Sequence, residues 1–263
     1  MPTILLINDD GVQSIGLVTL KQKLEKLGEV IVVAPEKERS GIGKALTTYD
    51  HIKVKETKLS NGSKAYAITG TPADAFLLAV NKILKRSPDM LVAGINLGPN
   101  LGIDDFLNSG TLGAALEAAI HKIPAIAVSY CVRKILERAS WKDSVTPEEL
   151  EVTATIAQKA AEYVLKNGMP PDVDIISINV PETLKSIEVE LTELSYKGYH
   201  DIYTKRKEGY KIGGWVLSGY PDDKPGTDIH VIKKENRISI TPIKVRFPHP
   251  KKALKDFLKV LST

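Results

Sequence analysis

Apolar residues along this chain follow two rhythms. Short continuous runs, bounded by polar or glycine-bearing stretches, alternate with longer segments in which leucine and alanine recur every three or four positions. TILLIN, EVIVVAP, AYAITG, DMLVAGIN, PAIAVSY and DIISINVP are of the first kind and predict strands; the continuous runs predict burial on both faces. GLVTLKQKLEKLG, TPADAFLLAVNKIL, SGTLGAALEAAI and PEELEVTATIAQKAAEYVLKNG are of the second kind and predict helices. In the first of these, Leu17, Leu20, Leu24 and Leu27 form one stripe and Gly28 stops the helix; Thr71 and Pro72 open the second; Gly168 ends the fourth. HIKVKET alternates, as a half-exposed strand does. Strand and helix in alternation predict a doubly wound, mostly parallel α/β sheet of Rossmann-like type over residues 1–180. Residues 181–263 read differently: IEVELTEL, YHDIYTKRK, YKIGGWVLSGY, TDIHVIKK and RISITPI predict antiparallel strands and hairpins, and KKALKDFLKVL a terminal amphipathic helix.

Composition narrows the class. With 263 residues and 43% hydrophobic content, the chain can bury a sizeable core. The formal net charge is +4, and the tail concentrates it, since Lys244, Arg246, Lys251, Lys252, Lys255 and Lys259 face only Asp256. Few aromatics are interleaved there, so a solvated basic helix is expected rather than a nucleic-acid surface. Cys131 is the single cysteine, which excludes an internal disulfide and a cysteine-built metal site and favours a reducing, cytoplasmic setting. No signal peptide is visible, because two aspartates interrupt the N-terminal apolar run, and no run reaches membrane-spanning length.

Candidate chemistry gathers where the strands end. In open parallel sheets ligands bind beyond the carboxyl ends of the strands. The first strand is followed by Asn8, Asp9, Asp10 and Gly11, the second by a loop with Ser40 and Gly41, and DMLVAGIN closes on Asn96. Two adjacent carboxylates after a buried strand repel one another unless a cation offsets them. Two carboxylates, a hydroxyl and an amide oxygen are hard donors that suit Mg²⁺ or Mn²⁺ rather than zinc. The helix start Ser109-Gly110-Thr111 offers a capping hydroxyl and backbone N–H groups at the positive end of a helix dipole, which favours a phosphate. Other motifs fail. SGIGKAL lacks the first glycine of a P-loop and has Ala45 after Lys44, and no GxGxxG follows the first strand. The five histidines lack metal-ligand spacing, and Cys131 reads as a small buried hydrophobe.

These motifs, in this order, resemble the SurE family of survival-protein nucleotidases. ILLINDDG, VVAPEKERSG, TGTPADAF, LVAGINLGPNLG, NSGTLGAALEA and TDIHVIKKENRISITPI carry the likeness across almost the whole chain. The resemblance implies a metal-dependent phosphatase acting on nucleoside monophosphates. It implies Asp9, Asp10, Ser40 and Asn96 as ligands of a divalent cation, with Asp9, Asp10 and Asn96 at the catalytic centre. It implies that Ser109, Gly110 and Thr111 hold the phosphate, with Asn8 and Gly41 nearby. It also implies a homodimer or homotetramer built by exchange of the strand-rich extension, and no duplex nucleic acid or membrane as partner. The attacking group, a water or a carboxylate, is open at this point. Two rivals are a Mg²⁺-binding receiver-like switch module, which needs an acceptor aspartate where Asn96 stands and a lysine that only Lys134 supplies, and a nucleotide-binding protein without turnover.

Overall fold

The computed structural model describes residues 1–132, 145–199, 202–212, 217, 220–248 and 251–261. The N-terminal half runs β1 (Thr3–Ile7), α1 (Ile15–Leu24), β2 (Glu29–Pro35), β3 (Val54–Lys58), β4 (Lys64–Ile68), α2 (Pro72–Leu78), β5 (Met90–Leu97), α3 (Gly102–Asn108), α4 (Gly110–Ile120) and β6 (Ala125–Cys131). Then come α5 (Glu151–Asn167), β7 (Ile175–Pro181), β8 (Val189–Leu191), β9 (Tyr203–Arg206), β10 (Gly209–Ile212), α6 (Asp228–His230), β11 (Ile238–Ile243) and α7 (Lys255–Leu261). Nine strands form one sheet in the order β3-β4-β2-β1-β5-β6-β7-β11-β8. The six strands from β4 to β7 are mutually parallel.

The predicted α/β core is therefore present, and its winding is visible in the apolar pattern. Every residue of β1 is buried. Ile4 and Leu6 face one layer, with Leu17, Leu20 and Leu24 of α1 and Ala154, Ala157 and Ala161 of α5. Leu5 and Ile7 face the other, with Phe76 of α2 and Leu112, Ala115 and Ala118 of α4. Continuous apolar strands follow from that double cover. Chain order reverses between β1 and β5, so the switch point lies beside the carboxyl end of β1. Thr71 caps α2 through a reciprocal pair with Asp74, as the Thr-Pro signal predicts, and the helix continues as a π-turn over Ala79–Ile83.

The later segments depart from expectation. TDIHVIKK is not a strand. The Thr227 side chain caps α6, and a π-turn over Val231–Glu235 follows until Asn236 ends it in a left-handed conformation. Its β-branched residues serve the core instead, since Ile229, Val231 and Ile232 are buried. RISITPI gives β11, which pairs antiparallel with β7 inside the main sheet rather than in a hairpin of the extension. IEVELTEL yields the short β8, parallel to β11 at the sheet edge. A helix unseen in the sequence pattern, α3, follows β5. Among the described residues only β9 and β10 form a sheet of their own, a two-stranded hairpin whose residues are exposed apart from Ile212. Trp215, expected just after it, lies outside the described residues, as do Lys134, His200 and His249.

A buried polar cluster joins α3 to the extension. The Asp105 carboxyl takes hydrogen bonds from the Leu101 amide (2.8 Å) and from the hydroxyls of Tyr199 and Tyr220. Asp228 accepts from the amides of Gly102 (2.8 Å) and Ser195 (2.9 Å). Cys131 is fully buried beside this cluster, and burial raises its thiol well above the usual range, as befits a small packed hydrophobe. Burial drives the Asp105 carboxyl up to about 8; the Tyr220 and Leu101 bonds oppose the rise, and the charges of Asp228 and Asp104 add to it.

This raised pKa predicts a pH dependence of stability. A carboxyl whose folded pKa exceeds its unfolded value binds its proton more tightly when folded. Its contribution to stability is complete below about pH 4 and is lost as pH rises through about 8. Asp228, also raised by burial, acts in the same direction. We expect the melting temperature followed by circular dichroism to fall across this window and Asp105→Asn to reduce the slope. An unchanged slope in the variant would contradict the assignment.

Candidate active site

The Asp pair sits at the switch point. Asp9 is 3% exposed, and its Oδ1 accepts a 2.6 Å hydrogen bond from the buried Thr111 hydroxyl on α4. Asp10 Oδ2 accepts from the Leu97 amide at the end of β5, at 3.0 Å. The two carboxylates are thus held by two different elements, α4 and β5. Asn8 is fully buried and bridges the turn, its Nδ2 donating to the Gly11 carbonyl at 3.0 Å. Its Oδ1 is buried without a hydrogen-bond partner among the described residues. Unpaired buried amide oxygen is costly, so this atom suits a site that receives a ligand. Asn96, one residue before Leu97, is half-buried and donates to the Gly98 carbonyl at 2.9 Å, which leaves its amide oxygen as a candidate donor to a cation.

The phosphate candidates divide into side chains already committed and backbone still available. Ser109 caps α4, its hydroxyl accepting from the Leu112 amide at 3.2 Å. The Thr111 hydroxyl serves Asp9. First-turn amides of a helix have no intrahelical acceptor, so the N–H groups of Gly110 and Thr111 are what this helix end offers an anion. Close approach explains the small residues. A Cβ on Gly110 would lie 2.7 Å from Asp9 Cβ, and one on Gly113 would lie 2.3 Å from the Gly43 carbonyl oxygen. Glycine at both positions lets α4 press against the Asp turn and against the loop after β2.

That loop carries Ser40 and Gly41, both exposed. It is anchored on the site's side by the Arg39 amide, which donates to the Asp9 carbonyl at 2.7 Å, and by the Gly43 amide, which donates to the Asn108 carbonyl at 2.7 Å. The Ser40 hydroxyl itself donates to Glu38 at 2.5 Å. The structure therefore ties Asp9, Asp10 and Thr111 together directly, places Asn8, Asn96, Ser109 and Gly110 beside them, and brings Ser40 and Gly41 up on a tethered loop. Among the described residues no three of His, Cys, Asp and Glu converge as a metal cluster, so a cation here would depend on amide and hydroxyl oxygens besides the two acids. That donor chemistry fits a hard divalent cation.

Several residues that shape the site gave little sign in the sequence. Lys44, from the failed P-loop, forms an ion pair with Glu117, a largely buried acid on α4 that also lies 3.4 Å from His121. The pair clips the loop to the helix and compensates the buried charge. A lone glutamate in a run of alanines was the available signal. Arg39 reaches the Thr69 carbonyl at 2.6 Å and ties the loop to the start of α2. Asp105 and its two tyrosines are separated by about a hundred positions in sequence and carry no local signature.

Known proteins share this arrangement. The family model described as survival protein SurE matches residues 4–201. The protein named 5'-nucleotidase SurE from Methanobrevibacter smithii is 37% identical over 260 residues, covering 97% of this chain and 99% of its own length. Its namesake from Methanothermobacter thermautotrophicus is 37% identical over 228 residues, covering 87% and 85%. The crystal structure of the SurE protein from Aquifex aeolicus aligns over the whole of both chains with a TM-score of 0.73 at 30% identity. A receiver-like module is excluded by the same match, and by Asn96 where an acceptor aspartate is needed. With sequence, fold and motif order in agreement over nearly the full length, the chain belongs to the SurE family.

Proposed function

We propose that this protein hydrolyses nucleoside monophosphates to nucleoside and inorganic phosphate, as the names of its relatives indicate for them. The observation that carries the reading is the contact between Asp9 and Thr111, which sets a buried carboxylate against the N-terminus of α4 at the switch point of the sheet. Asp9, Asp10, Ser40 and Asn96 would hold a divalent cation, Mg²⁺ or Mn²⁺. Such an ion, when bound, offsets the two carboxylates and polarises a phosphoryl oxygen. The chain's own residues do the rest. The Gly110 and Thr111 amides bind the phosphoryl oxygens, with Asn8 and Gly41 at the border of the same space. Thr111 and the Leu97 amide keep Asp9 and Asp10 in fixed orientations, which spares reorganisation as charge develops. Water supplies the incoming oxygen, the ester P–O bond breaks, and the nucleoside oxygen leaves with a proton.

We also propose a homo-oligomer, dimer or tetramer, in which the β9–β10 hairpin docks on a neighbouring copy. The hairpin stands as an isolated two-stranded sheet with Tyr203 and Tyr210 exposed. Two strands alone are marginal in water, and tyrosines are favoured where chains bury surface. On this reading residues 1–180 carry the chemistry and 181–263 the assembly, in a cytoplasmic protein. Among the described residues no helix is long and apolar enough to cross a membrane.

Three outcomes test these readings. Purified protein should release phosphate from nucleoside monophosphates with Mg²⁺ or Mn²⁺, lose that activity after chelation and dialysis, and regain it on metal addition; turnover that survives chelation would refute the cation's role. Asp9→Asn should lower kcat by at least about two orders of magnitude, roughly 3 kcal/mol of transition-state stabilisation, with Asn96→Ala acting more weakly. Near-normal turnover of Asp9→Asn at saturating metal would overturn its assignment. Replacing residues 203–212 with a short Gly-Ser linker should yield a smaller species in sedimentation velocity, and an unchanged sedimentation coefficient would remove the hairpin from the interface.

A further inference from the structure

Tyr199 and Tyr220 stand at the two roots of the β9–β10 excursion, and both hydroxyls converge on the carboxyl of Asp105. The rings also meet edge to face, 6.0 Å apart. Asp105 lies on α3, and three amides at the start of that short helix are tied down. Leu101 N donates to Asp105 itself, Gly102 N to Asp228, and Ile103 N to the Ser195 carbonyl at 2.7 Å. At the other end of α3 the Ser109 amide donates to the Asp105 carbonyl at 2.8 Å, and the Asn108 carbonyl receives the Gly43 amide. Ser109 is at once the C-terminal boundary of α3 and the cap of α4. One rigid helix of seven residues, roughly 10 Å long, therefore connects the root of the arm to the start of the anion-binding helix.

We propose that Asp105 is a positioning residue: by pinning Tyr199 and Tyr220 it fixes α3, and through α3 it sets the Ser109-Gly110-Thr111 helix start against Asp9. The inference rests on the reading of that helix start as the phosphate site. A carboxyl surrounded by Leu101, Cys131, Leu217, Ile229 and Ile232 is costly compared with an apolar side chain of like volume. What the carboxyl supplies that an apolar residue lacks is direction, since two hydroxyls and one amide meet it in one arrangement only. Among the described residues the titratable groups that face it are Tyr199, Tyr220, Asp104, Asp228 and Cys131; none of these is a cation, so the arrangement among them relies on hydrogen bonds rather than on an ion pair. Of the two carboxylates of the site, Asp10 is fixed from β5 by the Leu97 amide, whereas Asp9 takes the Thr111 hydroxyl of α4. Loosening the clamp should therefore weaken phosphate binding most, and cation binding less, through Thr111 and Asp9 alone.

The test uses the full-length protein and reads binding as well as turnover. Mn²⁺ affinity and the affinity of Mn²⁺-loaded protein for inorganic phosphate are measured by titration calorimetry for the intact chain and for Tyr199→Phe, Tyr220→Phe and the double variant. The double variant should bind phosphate about tenfold more weakly, with Mn²⁺ affinity lowered by a smaller factor and the KM for nucleoside monophosphate raised more than kcat is lowered. Tyr199→Phe, at a half-buried tyrosine, should show part of the same effect should the double variant fail to fold. Unchanged phosphate affinity in variants that have only a lower melting temperature would overturn the proposal, as would a loss of Mn²⁺ affinity as large as the loss of phosphate affinity. If the intact chain binds phosphate yet turns over no nucleoside monophosphate, the proposed function fails while the clamp is still judged by its phosphate titration; if it binds no phosphate, both fail.

Discussion

Two carboxylates on adjacent residues at the end of a fully buried strand impose the constraint around which this molecule is arranged. Like charges at the edge of a low-dielectric core repel and lose solvation, so each needs donors placed by the fold. β1 cannot provide them, because its own groups are spent in the sheet. The donors come from outside: Thr111 from α4 for Asp9, and the Leu97 amide from β5 for Asp10. Because both partners lie far from the turn in sequence, their placement depends on tertiary structure.

The same demand explains the composition of α4. For Thr111 to reach Asp9, the helix start must approach the Asp turn closely, and a side chain at Gly110 would collide with Asp9. The helix must also sit against the loop after β2, where Gly113 meets the Gly43 carbonyl. Small residues satisfy both contacts. Glu117 is the one charged residue of α4, and its ion pair with Lys44 clips the loop after β2 to the helix. Helix dipole, first-turn amides and the acid pair then share one small region, a combination that suits a phosphoryl group with a hard cation.

Beyond the parallel strands the chain uses its extension in two ways. β11 enters the main sheet antiparallel to β7 and carries β8 along its outer edge, so this part belongs to the core. The β9–β10 hairpin stays outside, yet both its roots return to Asp105. The hairpin is thereby anchored at a point one short helix away from the N-terminal end of α4.

The alternation of strand and helix in the N-terminal part, the double cover of the sheet, the cap at Thr71 and the place of Asp9, Asp10, Asn96 and the Ser109 start at the ends of their elements were readable from the chain itself. These are local facts: apolar periodicity reports burial, and a polar cluster directly after a buried strand marks the strand's end and a candidate site. What the chain could not disclose was decided by partners distant in sequence. TDIHVIKK has strand-like residues, but the Thr227 cap and the burial of Ile229, Val231 and Ile232 make it helical. α3 is only seven residues long, too short for its apolar positions to stand out as a helical pattern; amides at its start are satisfied by Asp105 and Asp228 and by a carbonyl almost a hundred residues away. The role of Thr111 as the partner of Asp9, rather than a free phosphate donor, likewise depends on how closely α4 packs on β1. Periodicity encodes which side of an element is buried, whereas the identity of the group that meets it there is set only when the sheet closes and brings residues a hundred positions apart within hydrogen-bonding distance.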